Sequence, residues 1–270
     1  MHTIYPMQLP DISLLHGFPP QDWNLDLPRL LNFHFGQPYF HAVVAKIEKH
    51  IVGCGIALIH GNVCWLGTII VLPEFRCQGI GYDITRHLKE YCAHIGCRTQ
   101  LLIATELGEP VYRKLGFVED GSYELYSIAN APSNNLYYSL REITADDYRS
   151  ITEIDSYVTG ENRFAFLKRH FIDGWVSCSA SNGKIDGFYL PNLGDGLVVS
   201  INHESGLNLL RFRLSKGKCS VVVPSGNVIV KEFLLSAGFH VAKTLPRMLY
   251  GRRLLWRQDK IFSRGSGYCG

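Results

Sequence analysis

The chain has 270 residues, 46% hydrophobic and 19% charged, with a formal net charge of +3. That length suits two domains, each able to bury its own core, and the composition excludes a disordered or membrane-spanning chain. The small charge excludes the dense basic stripe that nucleic acid requires, and the basic residues of the last part (Arg252, Arg253, Arg257, Lys260, Arg264) read as a solvated end.

The eight cysteines form no CxxC pair, so neither a zinc knuckle, a disulfide frame nor any other metal site is expected. No apolar run approaches the roughly twenty residues that a bilayer needs. The opening MHTIYPMQLPDISLL lacks the basic region and apolar core of a secretory signal. A cytoplasmic protein with reduced thiols and no membrane or nucleic-acid partner is the expectation.

Residues 3–31 give one short strand and then helix-prone pieces broken by Pro10, Pro19, Pro20 and Pro28. From Phe40 to Val71 come three strand-like runs, HAVVAKIE, HIVGCGIALI and NVCWLGTIIV, separated by tight turns. Gly53, Gly55 and Gly67 sit inside these strands and mark a bulge or the close approach of another group; at Gly67 that could be a ligand or dense packing.

Tyr82–His94 has apolar residues at helical spacing, Gln100–Ala104 is a buried-type strand, and Glu109–Leu115 is a short helix closed by Gly116 before the next strand begins at Phe117. The order strand, strand, strand, helix, strand, helix, strand predicts an α/β fold with a mixed, mostly antiparallel central sheet flanked by helices.

Beyond a polar, turn-rich stretch at Ala129–Asn135, taken as a linker, a similar order returns. Strands are predicted at 136–141, 176–180, 184–190, 197–201 and 218–223, and helices from Thr144 and over 162–171, 206–216 and 228–237. Leu115-Gly116-Phe117 and Ala237-Gly238-Phe239 close equivalent short helices, so two tandem copies of one fold are inferred. The predicted division is 1–128, 136–258 and a tail over 259–270.

The stretch that points to chemistry is VLPEFRCQGIG, Val71–Gly81, between the third strand and the first long helix. Gly79 and Gly81 remove side chains that would hold an anion away, so the amides of Gln78 to Gly81 can converge on a phosphate where the helix dipole favours one. There is no GxxxxGK[ST] and no GxGxxG, which sets aside P-loops and dinucleotide turns.

The string, through Ile69, Val71, Pro73, Arg76, Gly79 and Gly81, resembles the signature of the GNAT (GCN5-related N-acetyltransferase) superfamily. That resemblance covers residues 1–128. It implies the acyl-CoA N-acyltransferase fold and acetyl-CoA as acyl donor, its diphosphate held by the turn Arg76, Cys77, Gln78, Gly79, Ile80, Gly81 and Tyr82. It further implies that backbone groups of Ile69, Ile70 and Val71 meet the pantetheine arm where their strand splays from the next. Tyr112, in YRKLGF, would protonate the departing thiolate; the other reading of this residue is a tyrosine packed on the sheet.

The second half resembles the C-terminal GNAT-like domain of YitH-type acetyltransferases through Gly160–Arg163, Pro224–Asn227, Gly238-Phe239 and Arg247-Met248. In this half Leu234 stands where Tyr112 does in the first, and SINHESGLNLL replaces the glycine turn, so it is expected to be a degenerate copy that walls the acceptor cleft. Asn227 matches an asparagine that many GNAT proteins carry, where the first copy has Thr105.

The third strand, 62–72, has no acid to act as the general base that many GNAT enzymes place there. Glu106, His34 and His41 are the candidates, or waters alone. Phe18, Trp23, Asp26 and Phe33 are candidates for the acceptor wall. The function implied is acetyl transfer to an amine of a small molecule or peptide by a monomer or homodimer. The alternative is an acyl-CoA-binding sensor or scaffold without turnover.

Overall fold

The computed structural model describes residues 1–23, 25–130, 140–179 and 181–270. Most of the expected linker (131–135) and the first part of the strand expected at 136–141 lie outside the described residues. In chain order the strands are β1 (Thr3–Pro6), β2 (Phe40–Ile47), β3 (His50–His60), β4 (Val63–Val71), β5 (Thr99–Ile103), β6 (Val118–Ser127), β7 (Leu140–Glu142), β8 (Trp175–Cys178), β9 (Ile185–Leu190), β10 (Leu197–Ser200), β11 (Ser220–Pro224), β12 (His240–Gly251) and β13 (Ile261–Ser263). The helices are α1 (Leu27–His34), α2 (Ile80–His94), α3 (Glu109–Lys114), α4 (Tyr148–Thr159), α5 (Phe164–Leu167), α6 (His203–Ser215) and α7 (Val228–Ser236).

The chain forms two compact units: Met1–Val118 with Met248–Arg252 and Gly267–Cys269, and Glu119–Arg247 with Arg253–Ser266 and Gly270. In the first, β1, β2, β3 and β4 are consecutive antiparallel neighbours, and β5 joins β4 in parallel. The parallel pair needs a crossover, and α2 supplies it. Ile80, Ile84, Leu88 and Cys92 of α2 bury against Val43, Ala45, Val52, Ala57 and Leu66.

The strand glycines let α2 approach the sheet. A Cβ at Gly55 would lie 2.6 Å from Ile84 Cγ2 and 3.0 Å from Leu88 Cδ1. Gly67 is explained by packing: its Cβ would fall 2.6 Å from Tyr268 Cβ.

The second unit contains the antiparallel sheet β7, β8, β9, β10, β13 and the antiparallel pair of β11 with β6. Its core gathers Tyr126, Tyr189, Leu209, Leu210, Val221, Val230, Leu234 and Phe262. Two buried ion pairs stand here: Arg163 forks onto Asp155 at 2.6 and 3.0 Å, and Arg247 reaches Asp120 while lying 4.2 Å from the Trp256 ring.

Residues 259–270, expected as a solvated tail, are built into the fold. Ile261 and Ser263 pair with Val199 and Val198 of β10, and Phe262 is buried, so the apolar IF of this segment outweighs its flanking charges. Among the described residues no helix is long and apolar enough to cross a membrane.

Candidate active site

The site is built where β4 stops behaving as a regular strand. Its parallel ladder with β5 runs only through Val63, Cys64 and Trp65, although β4 continues to Val71. Beyond Trp65 the ladder with β5 ends, and among the described residues one edge of Leu66–Val71 has no strand partner. Against β3 the register slips between Cys54 and Ile56, so Thr68 and Ile69 stand opposite Gly55 alone, and Thr68 takes φ +52°. This is a bulge, which bends a strand and redirects its backbone groups. Ile70 is buried, whereas Ile69 and Val71 are half-buried over the α2 core.

The chain then passes through a short 3-10 turn, Pro73–Phe75, into the glycine turn. Cys77 (φ +59°) and Gly79 (φ +81°) are both left-handed, and Gly79 is the N-cap of α2. Asp83 N–H is the first to reach back, bonding the Gly79 carbonyl at 3.0 Å, so the amides of Ile80, Gly81 and Tyr82 precede the first intrahelical bond.

No side chain caps this end, and a Cβ at Gly79 would meet nothing within 4 Å. The open, positive helix terminus is therefore free of the molecule's own side-chain oxygens. Arg76 turns back to the Val71 carbonyl through Nε at 3.1 Å, tying the turn to the end of β4. Gln78 donates to the Glu74 carbonyl at 3.4 Å, while Cys77 and Tyr82 are exposed.

Tyr112 lies on α3 in the same core as Ile80 and Ile84, with its ring edge-on to Phe117 at 6.3 Å. It folds back over the preceding turn: a Cβ at Gly108 would lie 2.7 Å from Tyr112 Cε2 and 2.9 Å from its hydroxyl oxygen. Burial pushes the hydroxyl up to about 12, so it is neutral and able to donate at physiological pH. That hydroxyl makes no hydrogen bond among the described residues, although a buried tyrosine ordinarily finds a partner.

The profile of the acetyltransferase (GNAT) family matches residues 9–117, the span that holds the bulge, the turn and Tyr112. The first unit carries a GNAT acetyltransferase domain. The uncharacterized N-acetyltransferase YitH of Bacillus subtilis (strain 168) is 24% identical over 228 residues, 77% of each chain. A proposed acetyltransferase from Pyrococcus horikoshii superposes with a TM-score of 0.85 at 18% identity, over 100% of this chain and 96% of that one. A tandem GNAT protein from the clavulanic acid biosynthesis pathway gives 0.57 at 13% identity, over 93% and 98%. The mixed α/β architecture, with large, mostly antiparallel sheets flanked by helices, is thus the GNAT fold, shared with a tandem member.

The three candidate bases have separate surroundings. His34 is buried, with Nδ1 3.2 Å from the Tyr39 hydroxyl and its ring stacked on Phe40. His41 stacks on Tyr91 of α2 at 3.6 Å; burial first, then the nearby His87 charge, lowers it to about 4. Glu106 is exposed beyond β5. Asp26 caps α1 by accepting from Arg29 N–H at 3.1 Å, so its geometry is that of a cap. Tyr268 stands edge-on to His34 at 6.2 Å while packing on Gly67. Nothing in the local sequence signals that last contact.

In the second unit the start of α6 is capped, unlike that of α2. Asn202 caps α6, its Oδ1 accepting from Glu204 and Ser205 N–H at 2.9 and 3.2 Å, so two of the amides at this helix start are already occupied. Leu234 is a core residue. Asn227 is fully buried, capping α7 through Val230 N–H and donating to the carbonyls of Asp259 and Ile261.

Proposed function

We propose that the protein is an acetyl-CoA-dependent N-acetyltransferase with one working site, in the GNAT domain of the first unit. The acetyltransferase (GNAT) family match over residues 9–117 supports the reaction class; the donor, the acceptor class and the residues are our reading. One observation carries it: an uncapped helix start at Gly79 lies directly after a bulged strand that parts from its parallel neighbour. An elongated ligand with an anionic diphosphate and a chain of amides needs both features together.

In this reading the amides from Gln78 to Tyr82 and the dipole of α2 hold the diphosphate, with Arg76 bracing the turn. Backbone groups of Ile69, Ile70 and Val71 fix the pantetheine arm and polarise the acetyl carbonyl. A neutral amine attacks that carbonyl carbon, a C–N bond forms and the C–S bond breaks. The proton lost by the amine nitrogen ends on the leaving sulfur. Tyr112 donates its hydroxyl hydrogen bond to the sulfur as negative charge develops there and passes on the proton. A hydroxyl titrating at about 12 is a reluctant acid. Its main effect is therefore on the developing thiolate, and the amine proton restores any tyrosinate.

The acceptor is an amine of a small molecule or peptide, and the side of β4 at Gly67, with His34 and Tyr268, is our candidate for part of its wall. A non-catalytic acyl-CoA sensor is the second reading, favoured by one fact: residues 62–72, which include all of β4, carry no acid. A single experiment separates the two. Purified protein should bind acetyl-CoA and, offered a panel of amines, release free thiol at a rate above the buffer blank. Saturable binding without thiol release on any acceptor would replace the enzyme with the sensor.

A further inference from the structure

We propose that Cys64, Cys92 and Cys97 form a three-sulfur site for a soft d10 metal ion of the copper(I) class. The three Sγ atoms all lie within 4.8 Å of one another, and all three side chains are buried. Three sulfurs bound about 2.3 Å from one ion stand about 4 Å apart, so the cluster needs little movement to close around a metal. A disulfide would require about 2.05 Å between two of them and leave the third single.

The frame that presents the sulfurs is fixed by backbone bonds. Cys64 is on β4, Cys92 is in the last turn of α2, and Cys97 follows in the turn before β5. Cys97 N–H bonds the Cys92 carbonyl at 2.9 Å, and Arg98 and Thr99 N–H both reach the Asn62 carbonyl at 2.7 and 3.2 Å. The site is thus preorganised on three elements. It stands at the closed end of the β4–β5 ladder, beside the point where those strands part.

The class of ion follows from the ligands. Thiolates select soft ions, and structural zinc takes four ligands. Among the described residues no fourth His, Cys, Asp or Glu atom joins the cluster within the same distance. The surroundings are apolar, with Ala57, Leu66, Leu88 and Leu102 in the same core. A three-coordinate, sulfur-bound ion is the one that fits. No linear motif announces it, because positions 64, 92 and 97 share no CxxC spacing.

The test uses the full chain, reduced and anaerobic, against copper(I) held by a competing colorimetric chelator. The wild type should withdraw one copper(I) per chain and keep it through gel filtration. X-ray absorption should show a sulfur-only shell of three atoms at about 2.3 Å. Cys97→Ser, checked for folding by circular dichroism, should lose that retained copper, while Cys219→Ser at an exposed thiol should keep it. Equal retention by wild type and Cys97→Ser would overturn the proposal. So would a shell containing nitrogen or oxygen, or zinc(II) held in preference to copper(I). Should Cys97→Ser fail to fold, the wild-type shell decides alone.

Discussion

A hydroxyl with no hydrogen-bond partner among the described residues, held over a glycine, is the most exacting feature of the site. If Tyr112 meets the leaving sulfur, Tyr112→Phe should lower kcat on the order of 10² while leaving the acetyl-CoA Kd nearly unchanged. Gly108→Ala should act in the same direction, because its Cβ would stand 2.7 Å from the Tyr112 ring and push it aside. Steady-state kinetics with a parallel binding titration checks both, and unchanged kcat in Tyr112→Phe removes the residue from the mechanism. Tyr112 was legible as a candidate from YRKLGF; Gly108 was not, since its role depends on a side-chain rotamer that spacing does not encode.

Histidines set the acid limit at the same scale. His41 and His170 are both lowered by burial to about 4 from an ordinary 6.5, so the folded protein holds them neutral where the unfolded chain takes up protons. Stability contributed by their neutral forms is present above about 6.5 and is lost as pH falls toward about 4. The urea midpoint should therefore fall between pH 7 and pH 5, and His41→Phe should reduce the fall. A midpoint independent of pH across that window would contradict the burial of these rings as neutral groups.

At the scale of elements, the two long helices after strands contrast at their starts. α2 begins on a left-handed glycine with no side-chain cap, whereas α6 begins on Asn202, which takes two of its own amides. Gly79→Val would put a branched residue at φ +81° and a side chain into the space left for an anion, so acetyl-CoA binding should weaken severely. Asn202→Ala should instead cost about 1 kcal/mol of stability with coenzyme binding unaltered. Calorimetric titration and denaturant unfolding of each variant test the pair, and the reverse pattern would move the binding site to α6.

These elements were largely readable beforehand, because β2 to β5, α2 and α3 announce themselves by apolar period and by glycine punctuation. The bulge at Thr68 was not. It arises from a register slip against β3, a two-strand property that leaves no mark in the sequence of β4 itself. For the same reason the sequence marks Gly67 without explaining it, since the group packed against it is Tyr268, distant along the chain.

Across the whole molecule, the residues of the second half that suggested a second GNAT-like domain do structural work. Gly160 closes α4 at φ +77°, Asn227 caps α7, and Arg163 and Arg247 are paired within the core of the second unit. Asp155→Asn would remove the buried carboxylate that Arg163 forks onto, and unfolding should become easier, by up to about 3–5 kcal/mol. A change under about 1 kcal/mol in a urea titration would show that solvent reaches this pair.

The same buried roles explain why residues 259–270 misled. Charge near Arg257 and Lys260 suggests a solvated end, but Ile261 and Phe262 carry enough apolar surface to order a strand.

In the proposed reaction, amides at the start of α2 hold the diphosphate of acetyl-CoA and so aim its thioester at Tyr112. A crystal structure with the coenzyme bound should show diphosphate oxygens within hydrogen-bonding distance of the amides of Gln78 to Gly81, with the sulfur beside the Tyr112 hydroxyl. Coenzyme seated elsewhere, with that turn making no contact to it, would overturn both assignments.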